Sequence, residues 1–404
     1  MTKEIQDVVI VSACRTPIGK FLGQFKDVPA KDLAVTAGKE AIKRAGIPAD
    51  IIDEIVMGEV YQGLQKSLPA RIVGLACGLP DRSNACVVNQ NCTSAMRALE
   101  IACRNIMVGA TDIGLVVGVE NMTQAPYMVP SARSGARMGD VKMIDSLTHD
   151  ALVDSLVPGH MAMTAENVAV MYNITREQCD QLAVRSHTNA INANDTGIFK
   201  REIVPVEVKT KKGVTIVETD EHPIRGCSME SIGRLKPAFK TDGGVVTAAN
   251  ASGINDGASA VVIMSKQKAA ELGIKPLMKL VASVGIGVEP KIMGIGPAEA
   301  IPVALEKAGW NFDDVEYWEL HEAFAPQFIG CKIRLKEKYG MDLSLDKVNH
   351  NGSGIALGHP IGSSGLRIVV SLYYELERLG LTKGGASTCV GTGPAMASLW
   401  TRDI

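Results

Sequence analysis

Few residues are aromatic, no apolar run approaches the ~18 residues of a membrane span, no block carries one sign of charge, and no CxxC pair occurs. Each absence removes a class. Without a long apolar run, no spanning helix is expected. With 42 Lys plus Arg against 44 Asp plus Glu, the chain has no basic field of the kind nucleic-acid binders use. Nine scattered cysteines, an odd number, read as reduced thiols in a cytoplasmic enzyme and not as a disulfide or zinc framework. Met1 to Val11 mixes Lys3, Glu4 and Asp7 into its apolar residues, unlike a signal or transit peptide. No P-loop is present. Gly391-Thr392-Gly393 lacks a third glycine, and His321-Glu322-Ala323-Phe324-Ala325 is not HExxH, so neither a dinucleotide nor zinc is expected. What remains is 46% hydrophobic residues and 40 glycines over 404 positions, enough for two or three layered α/β units with tight turns and close helix packing.

The chain repeats itself. Ala41 to Gly46, followed by Asp50, Ile52, Asp53 and Ile55, returns 263 positions later as Ala304 to Gly309, Asp313, Val315, Glu316 and Trp318. Each copy reads as a helix end, a glycine stop, a turn and a strand. A second echo, 270 positions apart, sets Ser94-Ala95-Met96-Arg97 and the strand Ile113 to Val119 against Ser364-Gly365-Leu366-Arg367 and the strand Gly385 to Val390. The helix from Ser94 to Met107 is apolar on nearly every side, which suits a helix between two sheets. Two similar α/β halves in a five-layer α/β/α/β/α sandwich are predicted: 1–120 plus 250–272, and 273–404. Residues 121–249 have no counterpart and read as an inserted lid, with helices from Ala162 to Met171 and Arg176 to Ala193 and a hairpin turning at the solvated Lys211-Lys212-Gly213.

Four residues carry chemistry. Cys92 opens the buried helix, where the helix dipole and free N–H groups favour thiolate. His359, in Gly358 to Gly365, stands just ahead of the equivalent helix in the second half. The duplication would therefore bring Cys92 and His359 face to face as nucleophile and base. Cys389 ends the last strand beside Gly391, where bare backbone N–H groups can meet a substrate oxygen. His321 follows the strand Val315 to Leu320, at the carboxyl end where α/β folds build sites.

With these segments assembled, the chain resembles the thiolases, the acyl-CoA C-acyltransferases, along essentially its whole length, and most of all their acetyl-CoA acetyltransferase branch. The likeness runs through Arg15-Thr16-Pro17-Ile18-Gly19, Gln62-Gly63, Pro69-Ala70-Arg71, Ala125-Pro126-Tyr127, Met138-Gly139-Asp140, Thr164 to Asn167, Leu235 to Phe239, Asn250 to Gly257 and Gly358 to Gly365. It implies the reaction of two acetyl-CoA to acetoacetyl-CoA and CoA, and the reverse thiolysis, with coenzyme A as substrate and no metal or further cofactor. Cys92 would take the acyl group, activated by His359, and Cys389 would move the α-proton. His321 with a water and His359 would hold the thioester oxygen, and the N–H groups of Cys92 and Gly391 would form the second oxyanion hole. Arg225 would meet the CoA phosphate or adenine, Ser252 the pantetheine, and His160 and Met161 the lid over it, with Phe239 and Phe324 as apolar walls. A homodimer or homotetramer is implied. Ala95, Ala162 and Thr392 stand where glycine is commoner, and would narrow the acyl pocket or its loop. His321 stands where short-chain members usually carry Asn, so a 3-ketoacyl-CoA thiolase of longer chain length is the alternative; an idle acyl-CoA-binding scaffold or a decarboxylating synthase is a more distant one.

Overall fold

The computed structural model describes residues 5–211 and 213–404. Lys3, Glu4 and Lys212 lie outside the described residues.

The first half contains β1 (Val8–Arg15), α1 (Ala30–Ala45), β2 (Glu54–Gly58), α2 (Pro69–Ala76), β3 (Asn84–Val88), α3 (Ser94–Met107) and β4 (Ile113–Asn121), and takes β5 (Asn255–Ser265) from beyond the insert. The second half contains β6 (Met278–Gly287), α4 (Gly296–Ala308), β7 (Tyr317–Leu320), α5 (Ala325–Tyr339), α6 (Ile361–Leu379), β8 (Lys383–Cys389) and β9 (Pro394–Thr401).

Topology repeats with the sequence. In the first half β2 runs parallel to β3 and β4, while β5 joins β4 and β1 antiparallel. In the second, β7 runs parallel to β8 and bridges Val348 in parallel, while β9 joins β8 and β6 antiparallel. Even the irregularities match: β1 slips register between Ile10 and Ser12, and β6 between Leu280 and Ala282. Helices α1 and α4 both stop at a left-handed glycine, Gly46 at φ 69° and Gly309 at φ 65°, a conformation that costs glycine nothing. The halves are also stitched edge to edge through Val9 with Lys279 and Ile10 with Met278, so the strands form one continuous sheet in the order β7-β8-β9-β6-β1-β5-β4-β2-β3.

Burial defines the five layers. Ala34, Ala37 and Ala41 of α1 pack on Leu115, Val117 and Val262 on one outer face. Ala300 and Ala304 of α4 and Phe328 of α5 pack on Val284, Trp318 and Ala397 on the other. Between the two halves of this sheet lie α3 and α6, with Ala98, Leu99 and Ala102 beside Leu366, Val369 and Val370. Helix α3 is not enclosed on every side, however. Arg104 is exposed and Arg97, Ile101, Asn105 and Met107 are half-buried, because one flank is an open edge where Arg97 and Arg104 pair with Glu100.

Both central helices press on Gly118 of β4. A Cβ there would lie 2.5 Å from the Cβ of Ala95 and 2.9 Å from the Cα of Ser363. Ala95 therefore faces a glycine in the core and does not narrow the acyl pocket, as its position in the sequence suggests it might.

Between β4 and β5 the insert contributes the helices Ala162–Met171 and Arg176–Asp195 and the hairpin Val206–Thr210/Gly213–Val217, whose turn carries the exposed Lys211. Among the described residues, no helix is long and apolar enough to cross a membrane, and no cluster of three or more His, Cys, Asp or Glu could hold a metal ion.

Candidate functional site

The helix starts of the two halves meet at a cavity of about 270 Å³. Its lining is almost wholly apolar, and it gathers every candidate residue named from the sequence except His321 and Arg225.

Cys92 does not sit in α3 itself. It occupies a 3-10 turn, Asn91–Thr93, entered through Asn91 at φ 46°, which turns the thiol out of the helix line toward the cavity. Burial pushes this thiol up to about 11, although the N–H groups of Gly391 and of Cys92 itself donate to Sγ and pull the other way. The resting group is thus a neutral thiol, because desolvation outweighs the helix-start field that the sequence led us to expect would favour thiolate. It needs a base.

His359 meets that need through its tautomer. Its Nδ1 lies 2.6 Å from Ser364 Oγ, and that hydroxyl spends its only hydrogen on the carbonyl of Pro360 at 2.9 Å. In the tautomer that matches this arrangement, with the hydroxyl hydrogen on Pro360, Nδ1 carries the proton and Nε2 is left a bare lone pair, buried and without a protein partner. The backbone N–H of His359 donates to Asn255 Oδ1 at 2.9 Å, fixing the loop. Burial first, then the charge of Arg367, lowers this imidazole to about 3, so it is neutral at rest.

His321 stands behind His359 and does not line the cavity. The ring centroids are 4.3 Å apart, the His321 side chain is fully buried, and neither of its nitrogens has a protein partner. Burial, the His359 neighbour and Arg367 hold it well below the usual histidine range. Cys389, at the end of β8, is fully buried and raised well above the ordinary thiol value, by burial first and then by Cys92. A Cβ at Gly391 would come 2.5 Å from Met161 Cε, so any side chain there would have to push the methionine end aside.

Of the other candidates, His160 stacks on Phe239 with centroids 4.4 Å apart, and Ser252 donates its N–H to Ala323 beside Phe324. Arg225 lies elsewhere: it is exposed and held by Asp195 through contacts of 2.6 and 2.9 Å. Neither Ala162 nor Thr392 lines the cavity. Ala162 is fully buried under the lid, and Thr392, at φ 73°, points its hydroxyl at the Gly391 carbonyl.

Three supports were missed in the sequence. Glu120 accepts the N–H groups of Val60, Tyr61 and Gly362 at 3.0, 3.0 and 2.8 Å, tying the first half to the start of α6 just after His359. Arg367 is buried, 3.5 Å from Glu319, and its field reaches both imidazoles. Asn255 holds the His359 backbone. The signal for Glu120 and Arg367 was present: each is an ionisable residue inside an otherwise apolar run, which is rare unless paired.

Because the resting pair is neutral thiol and neutral imidazole, neither group changes charge between about pH 3 and pH 11. Protonating Nε2 removes the base only as pH falls toward 3. His359 and Cys92 should therefore contribute no limb to the acylation kcat/KM between about pH 5 and 9; a limb there belongs to carboxyls that burial raises into this range, Glu120 to about 7 and Glu319 to about 8. A limb centred near 6.5 that persists in Glu120→Gln would show that His359 titrates as it does in water and contradict the reading.

Two thiols and one free imidazole nitrogen on an apolar cavity, shared by duplicated α/β halves, define a class of enzyme equipped for thioester chemistry. The models of the thiolase N-terminal domain and the thiolase C-terminal domain match residues 8–267 and 274–402. An acetyl-CoA acetyltransferase of Syntrophomonas wolfei is 48% identical over 98% of both chains, and one of Cupriavidus necator is 44% identical over 97% of this chain and 98% of the other. A solved acetyl-CoA acetyltransferase structure from Syntrophomonas wolfei superposes with a TM-score of 0.98 at 60% identity, covering 99% of this chain and 100% of the other. Human mitochondrial 3-ketoacyl-CoA thiolase in complex with CoA superposes with a TM-score of 0.93 at 40% identity, covering 98% of both. The chain belongs to the thiolase family and is an acyltransferase.

Proposed function

We propose that this enzyme is an acetyl-CoA C-acetyltransferase, interconverting two acetyl-CoA with acetoacetyl-CoA and CoA through an acyl-Cys92. The observation that carries the mechanism is the His359 tautomer, whose free Nε2 opens on the same cavity as the Cys92 thiol.

In thiolysis, Nε2 takes the Cys92 proton as Sγ attacks the 3-keto carbon of acetoacetyl-CoA. The bond between the α and β carbons breaks, and its electron pair stays with the departing acetyl-CoA as an enolate. Cys389, held protonated by burial, gives that carbon its proton and becomes a thiolate. It then takes the proton of the incoming CoA thiol, whose sulfur attacks acetyl-Cys92; His359 returns its proton to Sγ as acetyl-CoA leaves. Condensation is the reverse. The N–H groups of Cys92 and Gly391 already converge on Sγ, which supports their role as donors to the acyl oxygen. His321, a neutral buried imidazole against His359, is the residue we assign to the enolate oxygen together with a water and His359, and losing a donor to that oxygen typically costs ~3–4 kcal/mol of barrier. Ser252, His160, Met161, Phe239 and Phe324 are the proposed pantetheine channel, and Arg225 is the proposed contact for the distal phosphate once it exchanges Asp195 for the ligand. The chemistry needs no metal.

We also place the enzyme in the cytoplasm as a homodimer or homotetramer. All nine cysteines are free, as a reducing compartment allows. The edge strand β3 is half-buried and paired on one side only, the kind of edge that a second copy covers.

Thiolysis of acetoacetyl-CoA beside 3-ketooctanoyl-CoA tests the assignment. The kcat/KM should favour acetoacetyl-CoA by at least about 10-fold, since single methylenes in an apolar pocket are worth ~10–200-fold. A preference for the longer substrate would make this a 3-ketoacyl-CoA thiolase instead, and turnover of neither would leave only a scaffold.

A further inference from the structure

We propose that Tyr61 sets the depth of the acyl end of the cavity and so confines the enzyme to short acyl groups, an inference that rests on the acetyl-transfer reading above. On one side of Cys92 the cavity wall is hydrocarbon: Met122, Ala151, Leu152, Ile254 and Ile361. Tyr61 belongs to the same apolar cluster as these residues and Cys92, yet does not itself line the cavity. It is the layer behind the wall.

That layer is rigid. Tyr61 is 6% exposed, and three hydrogen bonds hold it: its N–H donates to Glu120 Oε1 at 3.0 Å, its carbonyl accepts from Gln65 Nε2 at 2.9 Å, and its hydroxyl donates to the Leu147 carbonyl at 2.6 Å. The last bond matters most, because Leu147 leads directly into the turn Thr148–Leu152 that supplies Ala151 and Leu152 to the wall. One side chain thus fills the space behind the acyl end and pins the segment that forms it. A flexible aliphatic residue in its place could be pushed back by a longer chain; a hydrogen-bonded phenol in a close-packed cluster cannot yield without breaking its bond.

Tyr61→Leu and Tyr61→Met remove ring volume while keeping an apolar residue, and Tyr61→Phe keeps the ring. The readout is the ratio of kcat/KM for 3-ketohexanoyl-CoA over acetoacetyl-CoA, measured on the full enzyme after thermal melting has confirmed folding. The ratio should rise at least about 10-fold in Tyr61→Leu and Tyr61→Met, the lower end of what one methylene's room is worth. In Tyr61→Phe, which keeps the ring and loses only the bond to Leu147, the ratio should rise clearly less than in either truncation. An unmoved ratio in either truncation that folds overturns the proposal, and so does a Tyr61→Phe shift as large as the truncations'. The unmodified enzyme serves as the separate control: failure to turn over acetoacetyl-CoA defeats the acetyl-transfer reading, whereas normal turnover with an unmoved ratio defeats the role of Tyr61 alone.

Discussion

Cys92→Ala should lower acetoacetyl-CoA thiolysis by on the order of 10⁴- to 10⁶-fold, the range that follows loss of a nucleophile whose partner acts only through it. No acetyl adduct should appear in the intact mass, because the other thiol lining the cavity, Cys389, is held protonated by burial. The methyl of alanine fits the same turn, so the thermal midpoint should move little. Acyl transfer that survives the change within about 10-fold of the original rate would remove Cys92 from the mechanism, and with it the covalent intermediate. The expected loss is large because burial leaves the uncharged thiol dependent on His359, and both halves of that pair fail together.

Cys389→Ser should split the reaction. Acetyl-CoA still presents its carbonyl to Cys92 and His359, so acetyl-Cys92 should accumulate. Condensation should fall by at least about 10³-fold, since a hydroxyl is a far weaker acid than a thiol and does not supply the anion that takes the α-proton, and a positioned proton-transfer group is worth ~10²–10⁴-fold. Mass spectrometry of enzyme mixed with acetyl-CoA, beside the rate of acetoacetyl-CoA formation, reads both events at once. An enzyme that fails to acylate would show that Cys389 is needed before the second substrate arrives and would sink the division between the two cysteines. The contrast with Cys92→Ala is diagnostic: one variant carries no adduct, and the other carries it without going further.

The duplicated frame was legible because its signals are local. A glycine in the left-handed region ends a helix wherever it occurs, so Gly46 and Gly309 mark equivalent stops from the sequence alone. Apolar periodicity gave Ala162–Met171 to the residue. The same duplication placed Cys92 and His359 at one point before any contact was known, since equivalent helix starts in two packed halves must adjoin.

Where the sequence failed, the deciding partner lay far along the chain. Ala95 reads as a pocket residue until Gly118 is seen beneath it. The helix start at Cys92 favours thiolate by its local field, but the apolar walls of the closed cavity, Met122, Ile254 and Ile361 among them, bury the thiol and reverse the sign. The resemblance assigns Arg225 to the CoA phosphate with no partner in view, and its hold on Asp195 appears only in the folded chain. Sequence by itself determined the family, the duplicated frame and the candidates for the reacting side chains, because those depend on residue type and short-range order. Only the tertiary structure decided what surrounds His359, which way burial moves each thiol and what stands behind the cavity wall, because desolvation and hydrogen bonding are set by neighbours that folding brings together from distant parts of the chain.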